Sequence, residues 1–226
     1  MSHFTVAVFS KDPTDADKLL EPFYEAHPAG SPYMEFVVDA GAEVDDVTQK
    51  RGYWHNPQGY WDWWTIGGRW CGMLRLKDGK TGTRGERSWA NQDFVYATNV
   101  CDQALVADCD FSPDPVAYAK ATRRWEVVVE GSPRREDEPV MLTFLKPEYY
   151  IDKYGSKEAF ATHESCFNTY AYITADGHWV APGRVGLFGF DDSTQKSQLE
   201  YDALLAAYLK QAAEDGLYIT IVDCHI

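Results

Sequence analysis

A chain of 226 residues suits one domain, or two at most, and buries about 70% of its unfolded surface without needing a disulfide or a metal. Apolar residues at 45% and charged residues at 25% exclude a disordered chain. Lys+Arg 21 against Asp+Glu 35 leaves a net charge of −14, which repels nucleic-acid polymers and anionic membranes and argues against both as partners.

The chain opens Met1-Ser2-His3-Phe4-Thr5-Val6, with neither the basic n-region nor the apolar core of a signal peptide. No apolar run approaches the ~18 residues of a membrane span. The five cysteines are scattered and never spaced C-x-x-C, as expected of reduced thiols in a cytoplasm. Phe4 to Phe9 reads as an N-terminal strand, bounded by Ser-Lys-Asp-Pro. Thr14 and Asp17 form a capping box for a helix carrying Leu19, Leu20 and Phe23, which Pro22 kinks or shortens. Met34 to Val38 reads as a strand, and Ala42 to Asp46 as a solvated connection.

Alternation over Trp70 to Lys77 predicts a half-buried strand closed by an Asp78-Gly79 turn, followed by a flexible loop over Thr81 to Arg87. Phe94 to Val100 and Trp125 to Val129 are further strand segments, and Asp114-Pro115 opens a short helix between them. Domain organisation is read as a single domain over 1–226, with Gly131 to Pro139 as the one candidate boundary. Thr169 to Val180 predicts a β-hairpin around a two-residue Asp176-Gly177 turn. Ser197 and Glu200 cap a helix with Leu199, Ala203, Ala206, Leu209 and Ala213 on one face, stopped by Gly216. Leu217 to Val222 is the last strand. The fold class implied is α+β, with helices packed on a largely antiparallel sheet and the first and last strands adjacent.

Four segments taken together resemble a family of uncharacterised proteins of tailed bacteriophages and some bacteria. They are Ser2 to Val6, the Trp61-Asp-Trp-Trp-Thr-Ile-Gly-Gly-Arg-Trp70 block, Ile173 to Trp179 running on to Gly189, and the terminal Val222-Asp-Cys-His-Ile226. The resemblance implies a phage-type accessory protein of the host cytoplasm, serving host takeover or counter-defence. Its partner is then a host protein or a small nucleotide-like ligand.

The block from Tyr60 to Trp70 holds four of the eight tryptophans, beside an arginine and a glycine pair. Flat aromatic faces next to a guanidinium suit a nucleobase or sugar-phosphate, which makes Trp61, Asp62, Trp63, Arg69 and Trp70 the candidate ligand-binding residues. The simpler reading is a core anchor in which Arg69 pairs with Asp62. His3-Phe-Thr-Val6 fits one half of a two-histidine phosphoesterase pattern, and His163-Glu-Ser-Cys166 is a poor second half. If the end strands pair, His3 falls beside Asp223, Cys224 and His225. His3, Asp223 and His225 are then the catalytic candidates, and His3, Cys224 and His225 the metal candidates for a zinc-dependent hydrolase. A ring separation beyond about 8 Å excludes a shared metal.

Gly79-Lys80-Thr81 is not a phosphate loop, Asp108 to Ala119 is not an EF-hand, and Gly183, Gly186 and Gly189 do not match the dinucleotide fingerprint. The lack of a complete catalytic motif favours a binding protein over an enzyme, with no cofactor expected. A protein-interaction module using the tryptophan block is the third possibility. Arg84, Arg87, Arg123, Arg124, Arg134 and Arg135 are expected to form no single nucleic-acid-binding face.

Overall fold

The computed structural model describes residues 2–136, 138, 145–184 and 192–226. In chain order the elements are β1 (His3–Ser10), α1 (Ala16–Leu20), β2 (Glu35–Val38), β3 (Gly52–His55), β4 (Trp63–Gly68), β5 (Leu74–Arg75), β6 (Glu86–Arg87), β7 (Val100–Cys101) and β8 (Gln103–Leu105). There follow α2 (Pro115–Val128), α3 (Pro147–Tyr154), α4 (Lys157–Ser165), β9 (Ala171–Ile173), β10 (Trp179–Val180), α5 (Gln195–Glu214) and β11 (Tyr218–His225). The fold is α+β, as the sequence implies. Among the described residues no helix is long and apolar enough to cross a membrane.

One seven-stranded mixed sheet organises the chain in the order β10-β9-β1-β11-β4-β6, with β8 also on β11. The first and last strands pair antiparallel along their whole length, from His3 opposite His225 to Ser10 opposite Tyr218. Both strands are buried on both faces: Val6, Ala7, Val8 and Phe9 expose nothing, nor do Ile219, Ile221 and Val222. Full burial of each large apolar side chain contributes about 1.5–3 kcal/mol. Successive residues alternate faces, so Phe4, Val6 and Val8 join a core with Leu20, Phe23 and Trp61, while Ala7 and Phe9 join the core beneath α5. A third cluster, of Ala121, Trp125, Tyr150, Phe160 and Ala161, binds α2, α3 and α4 together.

Several elements differ from the sequence expectation. Thr14 does not cap α1; its hydroxyl donates instead to Asp12 Oδ1 at 2.6 Å, and the helix ends at Leu20 before a 3₁₀ turn that holds Pro22. The strand of the tryptophan block is β4, upstream of Trp70; of Trp70 to Lys77 only Leu74–Arg75 is strand. Phe94 to Ala97 is irregular, because Arg87 and Arg84 side chains take its carbonyls. The segment expected to be a flexible loop contains β6, paired parallel with β4. Trp125 to Val128 is helical: Asp114 accepts from Val116 and Ala117 N–H, Pro115 starts the helix, and the run carries 14 residues.

The β9–β10 turn is longer than expected. Thr174 N donates to His178 O at 3.0 Å, leaving a three-residue loop that ends at Gly177 with φ 88°. The capping box of α5 is Thr194 with Ser197, one turn before the expected pair. Its buried face is Gln198, Tyr201, Leu205, Leu209 and Ala212, so most of the stripe read from the sequence faces elsewhere. Residues 137 and 139 of the candidate boundary lie outside the described residues; Arg123 holds the rest, donating to Pro133 O and to Glu138.

All five thiols are free; Cys166 is half-buried and the other four are buried. Burial pushes Cys101 up to about 11 and Cys109 up to about 12. Since the thiolate is the nucleophile, alkylation of the native protein near pH 8 should modify Cys166 first and the others only on unfolding. Peptide mass mapping against time reads this order, and early modification of Cys101 or Cys109 would contradict it.

Candidate functional site

The register of three neighbouring strands sets out the site. His3 lies opposite His225 and His225 opposite Trp63; one step inward, Thr5 lies opposite Asp223 and Asp223 opposite Thr65. With a period of two, these rows share the α5 side of the sheet, beyond the apolar row of Ala7 and Ile221. The sheet therefore ends in a polar terrace.

On that terrace the His3 and His225 rings are 5.0 Å apart and edge-on, closer than the separation beyond which a shared metal is excluded. Trp63 stacks on His225 at 5.4 Å and meets His3 edge-on at 5.4 Å. Each imidazole has its own carboxylate: His3 Nδ1 bonds Asp223 Oδ1 at 2.8 Å, and His225 Nδ1 bonds Asp62 Oδ1 at 2.6 Å. An ionised carboxylate only accepts, so each Nδ1 carries the proton and each Nε2 is left as acceptor or base. Two oriented imidazoles side by side can bind an anion once protonated, or pass protons to and from a ligand.

Asp223 is fully buried, and its second oxygen accepts Arg69 N at 2.9 Å. Gly67 and Gly68 make this approach possible, with φ of 78° and 54°. A Cβ on Gly68 would lie 2.4 Å from Asp223 Cβ. Behind them Asp102, also fully buried, accepts from Gly72 N at 2.5 Å, Gly85 N at 2.7 Å and the Tyr96 hydroxyl. Burial and that carboxylate together push the Tyr96 hydroxyl far above its ordinary range. Asp102 is the anchor that sequence reasoning missed, although an acid inside the apolar run Val100 to Val106 was a signal.

The tryptophan block divides between faces. Trp63 is 43% exposed on the terrace, whereas Trp61 is buried on the other side, its Nε1 donating to Leu20 O. Trp61 therefore leaves the candidate ligand-binding set. Trp70 packs against the core under α5 and lines a polar cavity of about 470 Å³, together with Thr5, Lys153, His163, Asn168 and Gln198. Arg69 does not pair with Asp62; its guanidinium lies 5.9 Å over the Trp89 ring.

Cys224 cannot join the two histidines. It alternates to the opposite face, fully buried with Phe4 and Trp64, and burial raises its thiol well above the usual value. Among the described residues no three side chains are grouped to hold a metal ion. His163 is on α4, bonded to Asp202 at 2.9 Å, and does not supply the second strand of a two-histidine phosphoesterase. The imidazole facing His3 comes instead from the chain's other end. Of the arginines, Arg123, Arg124 and Arg135 pair with Glu138 or Glu164, while Arg84, Arg87 and Arg134 donate to backbone carbonyls. No protein-family model, curated protein or solved structure matches the chain.

Proposed function

We propose that the protein is a phage-type accessory protein of the host cytoplasm that binds a small, anionic, nucleotide-like ligand at the sheet terrace and the polar cavity beside it. The observation that carries this reading is the juxtaposition of His3 and His225, each oriented by a carboxylate, under the exposed ring of Trp63. Thr5 links this pair to the cavity, lying opposite Asp223 in register while lining the space that Trp70, Lys153 and His163 share. Trp63 or Trp70 supplies a stacking face, and Lys153 with the imidazoles supplies charge-assisted donors to phosphate oxygens. Sequestering such a ligand would serve counter-defence or host takeover.

A second reading is supported by the same dyads. Two imidazoles with free Nε2 atoms fit acid–base chemistry on a phosphoester, one taking a proton while the other gives one. The zinc-dependent version has less support, because Cys224 faces away.

A thermal-shift panel of nucleotides, cyclic dinucleotides and divalent metals tests both readings. Ligand at a hundred times its Kd stabilises by about 2.7 kcal/mol, or roughly 5–10 °C at this chain length. The rise should appear with a nucleotide and shrink in Lys153→Glu and in Trp63→Ala. Turnover of the bound compound, lost in both His3→Ala and His225→Ala, would move the assignment to the enzyme. No shift with any compound would leave the protein-interaction module as the better reading.

A further inference from the structure

Helix α5 carries more apolar surface than the sheet covers. Tyr201 and Ala212 face the sheet core, yet Leu199, Ala206 and Ala213, with the edge of Leu205, line a separate groove of about 690 Å³. That volume falls within the range of small-molecule sites. Its opposite wall is Phe111 and Phe167, edge-on at 5.0 Å, with Val106 and Pro113. From Leu199 to Ala213 the helix runs about 21 Å at 1.5 Å per residue, so the groove is long as well as apolar. It shares only His163, Cys166 and Asn168 with the polar cavity, which makes it a distinct site.

Charge is sorted along the groove. Asp202 lies toward the start of α5, and Glu158 is beside it on α4, where Gly155 abuts Gln195 and His163 bonds Asp202, whereas Lys210 is in the later turns of α5. Lys77 belongs to Lys210's end: its Nζ donates to Ala107 O at 2.7 Å, in the 3₁₀ turn Val106–Asp108 whose Val106 N bonds Leu217 O just beyond α5. Asp108 and Asp110 near that end pair with Lys80 and Arg75, so in a chain of net charge −14 Lys77 and Lys210 leave a local reversal that favours an anionic group there. Acids at the other end disfavour it.

We propose that this groove binds a single-chain anionic amphiphile, a long-chain carboxylate, with its alkyl chain between α5 and the Phe111–Phe167 wall and its head toward Lys77 and Lys210. Calorimetric titration with straight-chain carboxylates of increasing length, kept below their micelle concentrations, tests it. Binding should saturate at one per chain and strengthen about fourfold per added methylene (~0.8 kcal/mol) until the groove is filled. The matching alcohols should bind more weakly and the alkylammonium ions weakest. Ala206→Trp, at an exposed position, should fill the trough and weaken binding at least about tenfold while the melting temperature holds; Leu199→Trp is the second such variant. Lys77→Glu with Lys210→Glu should weaken the carboxylates and not the alcohols.

Binding that never saturates, that ignores both tryptophan variants, or that is as tight for the ammonium series would overturn the proposal. So would sedimentation showing a dimer that Ala206→Trp dissociates, since a second copy would then cover the groove. None of these results bears on the histidine terrace.

Discussion

Replacing Asp102 by alanine should lower the melting temperature by roughly 10 °C. The carboxylate is fully buried and accepts from Gly72 N–H, Gly85 N–H and the Tyr96 hydroxyl, so its removal strips two backbone donors of their acceptor and leaves the hydroxyl only Gly85 O at 3.4 Å. Each buried orphan costs about 1–3 kcal/mol; with partial relaxation the sum is about 4 kcal/mol, and a chain of this size loses about 2–4 °C per kcal/mol. The backbone of Asp102 also accepts from Ile221 N at 2.8 Å, which ties these loops to the central strand β11. Asp102→Asn, which keeps the shape but offers one acceptor oxygen, should lose about half as much. Scanning calorimetry decides the matter, with Asp78→Ala in the exposed Asp78-Gly79 turn as a control that should hardly move. An Asp102→Ala protein melting within a degree or two of the parent would mean that the loops are held by other contacts.

Gly68→Ala should be nearly as damaging, at about 3 kcal/mol, and should disarm the histidine terrace as well. The left-handed backbone costs an L-residue about 1–2 kcal/mol, and overpacking a filled site costs about 1–3 kcal/mol more. The new methyl would sit 2.4 Å from Asp223 Cβ and from its Oδ2. Asp223 has no room to yield, being between β1 and β4 with no exposed surface. It must shift, and the bonds to Arg69 N and His3 Nδ1 shift with it. The downfield Nδ1 proton of His3 in an NMR spectrum should be lost in Gly68→Ala and in Asp223→Asn, while that of His225, held by Asp62, persists. Survival of the His3 signal in Gly68→Ala would show that the close approach of Gly68 does not position Asp223.

The pairing of the chain's two ends was legible because both runs are apolar, of equal length and end in polar residues, and it alone brings His3 to His225. Grouping Cys224 with the two histidines goes against a rule the sequence already carries, since alternation along β11 turns it to the face opposite His225 whichever partner strand is present. Trp125 was not, since Trp-Glu-Val-Val-Val has strand propensity and only the Asp114 cap and the packing of Trp125 on Phe160 decide for helix. The stripe on α5 is apolar as the sequence reads, but of its residues only Leu209 belongs to the buried face, because a helix apolar on two sides does not say which side meets the sheet.

Sequence by itself determined the local and periodic features. These are the predominantly apolar end strands, the Gly216 stop, a turn at Asp176-Gly177 and the net charge of −14. Apart from the charge, which is a sum over the chain, each depends on residues within a turn or two of one another. Only the tertiary structure decided which carboxylate serves which histidine, that Asp102 gathers three loop donors, and that the tryptophans divide between two faces. These outcomes rest on strand register and on contacts such as Asp223 with Arg69, 154 positions apart, where packing chooses among partners that local sequence leaves equivalent.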